Sequence, residues 1–307
     1  MVIRLTAVSV LVPALLDPTT LSAWTSEVHS LMTSRALAAL ERQQPPLTPE
    51  SKALLVRASQ QPDLMRPREL PELRDSEAAR HYIDLELLEG RELPPTAPAY
   101  YRLLVDLSET PGSGIPRDWD LQSVGTLPYA LVESTERLIA VFAQLRRRPD
   151  DAALQMMAAY LAGAMAHYAQ DLCQPLHTTI HHDGRARIGG RSPETGIHRR
   201  VDGLPGRMTT QLADLVLRQP RVLGPLFPEA IAALKQSHDL VDEVYRQERV
   251  IDRVAAGGDA TSALRGFVAD RYAQSVELTA DLLLTAWQRS GSIQVPGWAL
   301  TPASQPR

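Results

Sequence analysis

Cysteine is nearly absent, with Cys173 the only one in the chain. A lone thiol closes no disulfide and builds no site of paired cysteines, so a metal ion here would have to be held by histidine and carboxylate. No apolar run reaches the roughly 18 residues that a membrane-crossing helix needs. Aromatic residues make up only 5% of the chain, and clear strand signals are scarce, so little is available to build a sheet. An excess of positive charge is missing too. The net charge of -4 argues against a generally basic nucleic-acid-binding surface but leaves room for a small cationic cleft. No internal repeat divides the chain.

What is present is helical. With 44% hydrophobic residues over 307 positions, the chain can bury a large core. The reading is an all-α fold: one mostly helical domain over 24–290, with long loops around a metal-binding cleft and a flexible tail over 291–307. Helical patterns run from Ser26 to about Arg42, through SKALLVRASQ, after Pro128 to Arg147, through AALQMMAAYLAGAMA, and over roughly 208–219, 228–255 and 261–289. Residues 178–196, polar and glycine-rich, are expected to form a long loop or short hairpin that leaves His181 and His182 exposed. His238 stands alone and is read as structural. Residues 1–23 resemble a signal peptide: Arg4, an apolar segment from Leu5 to Leu16, then a polar stretch ending in small residues. Cleavage after Ala23 would leave Trp24 first in a secreted or periplasmic protein.

The chemistry gathers around HYAQDLCQPLH, His167 to His177. On a helix, His167 and Asp171 share one face. Pro175 ends that helix and leaves His177 free to point back. The same His-x3-Asp spacing returns at His198 and Asp202. Asp63 and Arg66 stand three apart, and HYID supplies His81, Tyr82 and Asp84. Near the expected mature start, His29 follows Trp24, whose freed amine would have an ordinary pKa of about 7.7–8.0 and could chelate together with its own carbonyl oxygen. Any one such pair reads equally as a core histidine beside a carboxylate. Taken together they give nine donors, counting the Trp24 amine and carbonyl separately and setting Asp171 aside. Nine are too many for one ion, and suit three if Asp171 bridges.

The order Trp-x4-His, Asp-x2-Arg, His-Tyr-Ile-Asp, His-x3-Asp-x5-His and His-x3-Asp resembles the zinc-dependent phospholipase C and single-strand nuclease superfamily. The resemblance implies an all-helical fold and three zinc ions. Asp63, His81 and His167 would hold one. Trp24 and His29 would hold a second, with Asp171 bridging that pair, and His177, His198 and Asp202 would hold the third. It implies hydrolysis of phosphodiester bonds by zinc-activated water, whose pKa can fall from 15.7 to about 7. Asp63 would orient that water or take its proton, and Arg66 would clamp phosphate, unless it serves only a surface salt bridge. Tyr82 and Asp84 match positions that stack on a base and read its edge in the nuclease branch. Asp202, where phospholipases C typically carry Glu, points the same way. Gly189 and Gly190 are followed by Arg191 rather than the nucleases' Asn. The expected substrate is single-stranded DNA or RNA, possible 3′-nucleotidase activity included. The alternative is a phospholipase C acting on phosphatidylcholine-like lipids.

Overall fold

Prolines and side-chain oxygens set where the helices begin. The computed structural model describes residues 24–300 apart from 41, 42, 44, 189 and 191. The signal-peptide reading of 1–23, the end of the tail and the Gly189 and Arg191 comparison lie outside the described residues. The helices are α1 (Ser26–Leu40), α2 (Pro49–Ala58), α3 (Gln61–Leu64), α4 (Pro71–Ala78), α5 (Ala97–Glu109), α6 (Leu127–Leu145), α7 (Ala152–Leu172) and α8 (Ile197–Asp202). They continue as α9 (Leu204–Arg207), α10 (Thr209–Ala213), α11 (Leu226–His238), α12 (Val241–Arg246), α13 (Glu248–Ala255), α14 (Ser262–Ser290) and α15 (Gly297–Leu300). Pro occupies the first turn of α2, α5 and α6, where a missing N–H costs nothing. Thr48, Thr96 and Thr261 cap α2, α5 and α14 through their hydroxyls. The fold is all-α. A single antiparallel bridge, Ile83 to Gly125, is the β-pairing among the described residues.

Helix α7 is the axis on which the others lie. Asp151 caps it by accepting from Ala153 N at 3.0 Å and Leu154 N at 3.1 Å, and from Leu154 onward its residues become progressively more buried. It packs against α6, α2, α14 and α1. Ala158, Ala159, Ala162, Gly163, Ala166 and Ala169 give it a narrow profile, so neighbouring backbones approach closely. Gly163 is the tightest point: a Cβ placed there would lie 2.5 Å from Ala58 Cβ and 2.8 Å from Leu55 O. Beyond Leu172 the chain tightens into a 3-10 turn, Pro175–Thr178, capped by the Gln174 side chain. The central pattern therefore ends where Pro175 predicts.

Two of the expected helices differ in the structure. The pattern over 208–219 keeps helix only at α10, and the chain from Leu215 has no regular structure. Its backbone donors find side-chain acceptors on α14 instead: Arg218 N donates to Glu277 at 2.9 Å, Arg221 N to Asp281 at 2.8 Å and Leu223 N to Thr285 at 2.8 Å. Once α14 satisfies those groups, the helix loses its advantage over irregular chain. The expected long helix over 228–255 is broken into α11, α12 and α13. The breaks carry these short helices around the 178–198 loop, where the Tyr245 hydroxyl accepts from Gly184 N at 2.9 Å and donates to His181 O. Among its described residues that loop forms turns and bends, with no hairpin pairing. His181 and His182 are half-buried rather than exposed, because Ala186 N donates to His181 Nδ1 at 3.1 Å and α8 lies beneath His182. His238 meets Thr178 O at 3.0 Å, in line with a structural role.

Gly163→Ala tests the close approach of α2 and α7. The added methyl should cost about 1–3 kcal/mol by overpacking and lower the thermal unfolding midpoint. An unchanged midpoint would show that the two helices separate freely.

Candidate metal centre

Six elements deliver the histidines and aspartates to one buried place. The last turns of α7 carry His167 and Asp171, and the following 3-10 turn carries His177. Helix α1 supplies His29, α3 Asp63, the turn after α4 His81, and α8 both His198 and Asp202. Three groups result: His29, His167 and Asp171; Asp63, His81 and His167; His177, His198 and Asp202. In each, the ligand-type atoms lie within 4.8 Å of one another. Asp171 is central. Its carboxylate is 3.1 Å from His81 Nδ1, 3.2 Å from His167 Nε2, 3.5 Å from His29 Nε2 and 3.8 Å from His177 Nδ1.

The ring nitrogens are prepared as ligands by what their other side touches. His167 Nδ1 lies 2.8 Å from Ser59 O. A carbonyl only accepts, so Nδ1 carries a proton and Nε2 is the nitrogen that faces the centre. His177 Nδ1 donates to His81 O in the same way. His29 Nδ1 lies 2.7 Å from Gln170 Oε1, and the Gln170 amide nitrogen donates to Thr33 Oγ1 at 2.9 Å, which assigns the oxygen to the histidine side. Gln174 donates to Asp202 Oδ1 at 2.7 Å, leaving Oδ2 to face His198 Nε2 at 3.4 Å. The Nε2 atoms of His177 and His198 stand 3.1 Å apart. Two nitrogens each about 2.0–2.1 Å from a tetrahedral zinc would be about 3.3 Å apart. A single proton or a single cation resolves that contact.

Buried polar atoms without partners mark the same place. His29 Nε2, Asp171 Oδ1 and Asp202 Oδ2 have no hydrogen-bond partner, although such atoms are ordinarily satisfied. The donor set, nitrogen and oxygen without sulfur, is one that can hold divalent cations, and cations bound in these groups would satisfy such atoms. The electrostatics agree. Burial and the neighbouring His167 push His29 down to about 3, so it stays neutral. Burial likewise lowers His177, and lowers His198 well below the ordinary value. Burial also opposes charge on His167, but Asp171 and Asp63 outweigh it and raise that ring to about 9. Burial holds Asp202 well above the usual carboxylate range. A cation entering the centre would displace protons, and its binding would weaken as pH falls.

The remaining expected residues sit around this core. Trp24 is 1% exposed, and its indole donates to Gln170 O at 3.0 Å, so Trp24 and His29 converge on one glutamine beside Asp171. Arg66 pairs with Asp63 and is 16% exposed at its side chain, at the edge of the cluster. Ile83 N donates to His177 O at 2.9 Å, which ties the Tyr82–Asp84 stretch to the ligand-bearing turn. Tyr82 is half-buried and donates its hydroxyl to Gln122 O. Asp84 lines a cavity of about 220 Å³ with His182, Arg187 and Ser192.

Three residues close to the centre were not singled out in the sequence. Gln170 and Gln174 orient His29 and Asp202. Glu77, four residues before His81, faces His81 Nε2 at 3.6 Å and accepts from the Tyr168 hydroxyl. Its Glu-x3-His spacing is the mirror of His-x3-Asp, and was available in the sequence. The two glutamines carry no comparable signal. Comparison with protein-family models gives no match, and neither does comparison with curated proteins.

Asp84 makes a pH prediction. Burial first, then Glu86, pushes its carboxyl up from 3.8 to about 8. Between those values the unfolded chain ionises this group while the folded chain keeps it neutral, so stability is lost as pH rises through that window. Asp84→Asn should therefore unfold at a higher temperature than the unaltered chain at pH 8, with the gap closing toward pH 4. Parallel melting curves across that range would have to be found to refute the burial of a neutral carboxyl.

Proposed function

We propose that this chain is an exported zinc-dependent phosphodiesterase that hydrolyses single-stranded nucleic acid, with 3′-nucleotidase activity included. The observation that carries the reading is the convergence of three His/Asp groups on Asp171, with ring nitrogens already turned inward by carbonyl and amide acceptors. His29, Asp171 and the Trp24 main chain would hold one ion, Asp63, His81 and His167 another, and His177, His198 and Asp202 the third. When bound, the ions supply Lewis acidity toward phosphoryl oxygen and make water acidic enough to ionise near neutral pH.

The chain's own groups do the rest. Asp63 is held below the ordinary carboxylate range: burial opposes this, but His167, His81 and Arg66 outweigh it. It is therefore an anion able to orient a water or take its proton. Arg66 touches Asp63 with one nitrogen, and a guanidinium has five N–H donors, so others are left for a phosphate oxygen. The half-buried Tyr82 ring offers a surface on which a base could stack, worth about 1–3 kcal/mol. Next to it, a neutral Asp84 can both donate and accept at a base edge, with Arg187 and His182 across the same cavity.

One observation favours a second reading, a phospholipase C. A cleft of about 740 Å³ is lined by Leu85, Leu88, Leu93, Phe227 and Ile231, apolar enough for lipid chains. Its Glu86 and His238 contact Thr179 and Thr178, directly after His177. No helix among the described residues is long and apolar enough to cross a membrane.

The deciding experiment gives the protein beginning at Trp24 single-stranded DNA, single-stranded RNA and phosphatidylcholine vesicles in parallel, each with chelated and zinc-restored controls. Acid-soluble nucleotides that disappear with chelator and return with zinc are expected. Phosphocholine release without nucleotide release would replace the nuclease reading with the lipid one. Asp171→Asn should lower turnover by about 10²-fold or more, the scale on which one preorganised electrostatic group acts.

A further inference from the structure

Metal ligation at His81 has a consequence for the far side of its ring. His81 points Nδ1 into the cluster, 3.0 Å from His167 Nε2 and 3.1 Å from Asp171 Oδ2. A ligand nitrogen carries no proton, so ligation at Nδ1 places the ring's one proton on Nε2. His81 Nε2 is buried and has no hydrogen-bond partner in place. The carboxylate facing it is Glu77 Oε1 at 3.6 Å.

Glu77 is built to stay there. It sits near the end of α4, and the 3-10 turn Ala79–His81 follows directly, so one turn of chain sets the spacing between carboxylate and ring. The Tyr168 hydroxyl donates to Glu77 Oε1. Tyr168 is in turn fixed by Arg80 Nε at 3.1 Å, and Arg80 Nη1 donates to Glu133 at 2.9 Å. Tyr168 follows the ligand His167 on α7, so this chain of contacts joins α4, α6 and α7 behind one ring.

We infer that Glu77 is a positioning residue for the first metal site: it accepts the Nε2 proton of His81 and holds the ring with its Nδ1 lone pair aimed at the ion shared with Asp63 and His167. The inference rests on the metal-dependent reading above. It adds to it that zinc affinity at this site depends on a carboxylate that never touches the ion. Partners of this kind set ring orientation and ligand basicity, and their loss typically weakens metal binding about 10–100-fold.

The test is zinc titration of the unaltered chain, Glu77→Leu and Glu77→Gln against a chromophoric chelator, alongside thermal unfolding of each metal-free protein. Glu77→Leu should weaken one ion by about 10–100-fold and leave the other two unchanged. Glu77→Gln, which keeps an acceptor but not the charge, should weaken the same ion by a smaller factor. The metal-free unfolding midpoint of Glu77→Gln should match that of the unaltered chain, which separates positioning from general destabilisation. Affinities in Glu77→Gln within about twofold of the unaltered chain at every ion would overturn the inference, and would do so even if Glu77→Leu failed to fold. Unaltered protein that binds zinc tightly yet cleaves neither nucleic acid nor lipid would overturn the proposed activity and leave Glu77 in place. Unaltered protein that takes up no zinc would overturn both.

Discussion

The Asp171 carboxylate, wholly buried at the end of α7, is the constraint on which the rest of the structure turns. An ionised carboxylate out of water is costly unless it is paired and hydrogen-bonded. Burial alone would raise its pKa, yet His167 and His177 hold it well below the ordinary range. Those histidines are buried in turn, and each needs an acceptor on its second nitrogen. The demand passes outward to Ser59 O and His81 O, and for the neighbouring His29 to the Gln170 side chain and on to Thr33. Helices α1, α2 and α7 and the turn after α4 are thus fixed relative to one another by a polar requirement as much as by apolar packing. A centre of this kind tolerates few alternative arrangements, because a half-satisfied buried network is worse than an apolar one.

Packing has to permit that polar arrangement. Ser59 follows α2 directly, and its carbonyl reaches His167 only because α2 lies close against α7. Gly163, one turn before His167, is where the two backbones approach most nearly. The small residues along α7 are therefore part of how the centre is assembled. Larger side chains there would fill the core equally well by area, but would move Ser59 O away from the nitrogen whose proton it holds.

The parts of this structure legible in the sequence are those governed by a period. His167 with Asp171 and His198 with Asp202 are visible because a helix places every fourth residue on one face, and Pro175 announces the turn that aims His177. The convergence of Asp63 and His81 on them was reached only through resemblance, since nothing local links α3 to α7. Other parts follow no period. Ser59 acts through its backbone, which any residue would supply. Gln170 and Gln174 act through neutral amides, whose spacing carries no expectation. The stretch after α10 has a helical pattern, but Glu277, Asp281 and Thr285 of α14 cap its N–H groups from a distance of some sixty residues in sequence. Tertiary capping there overrides local propensity.

The charge balance of the centre also bears on stability. Asp63, Asp171 and Asp202 are buried together with Glu77 close by. The raised His167 ring and the raised Asp202 carboxyl each hold a proton more readily than usual and so offset part of that charge. Each proton is a weaker answer than a divalent cation, which carries twice the charge and reaches several oxygens and nitrogens at once. Since the unfolded chain has no such site, the free energy of binding an ion there would add to the free energy of folding. The orphaned atoms of His29, Asp171 and Asp202 are then a cost that a bound ion would relieve, and the close packing around α7 holds that geometry without one. Preorganisation here and affinity for the ion are the same property seen from two sides: the better the carbonyls and amides lock the rings, the less an incoming ion must spend on ordering them.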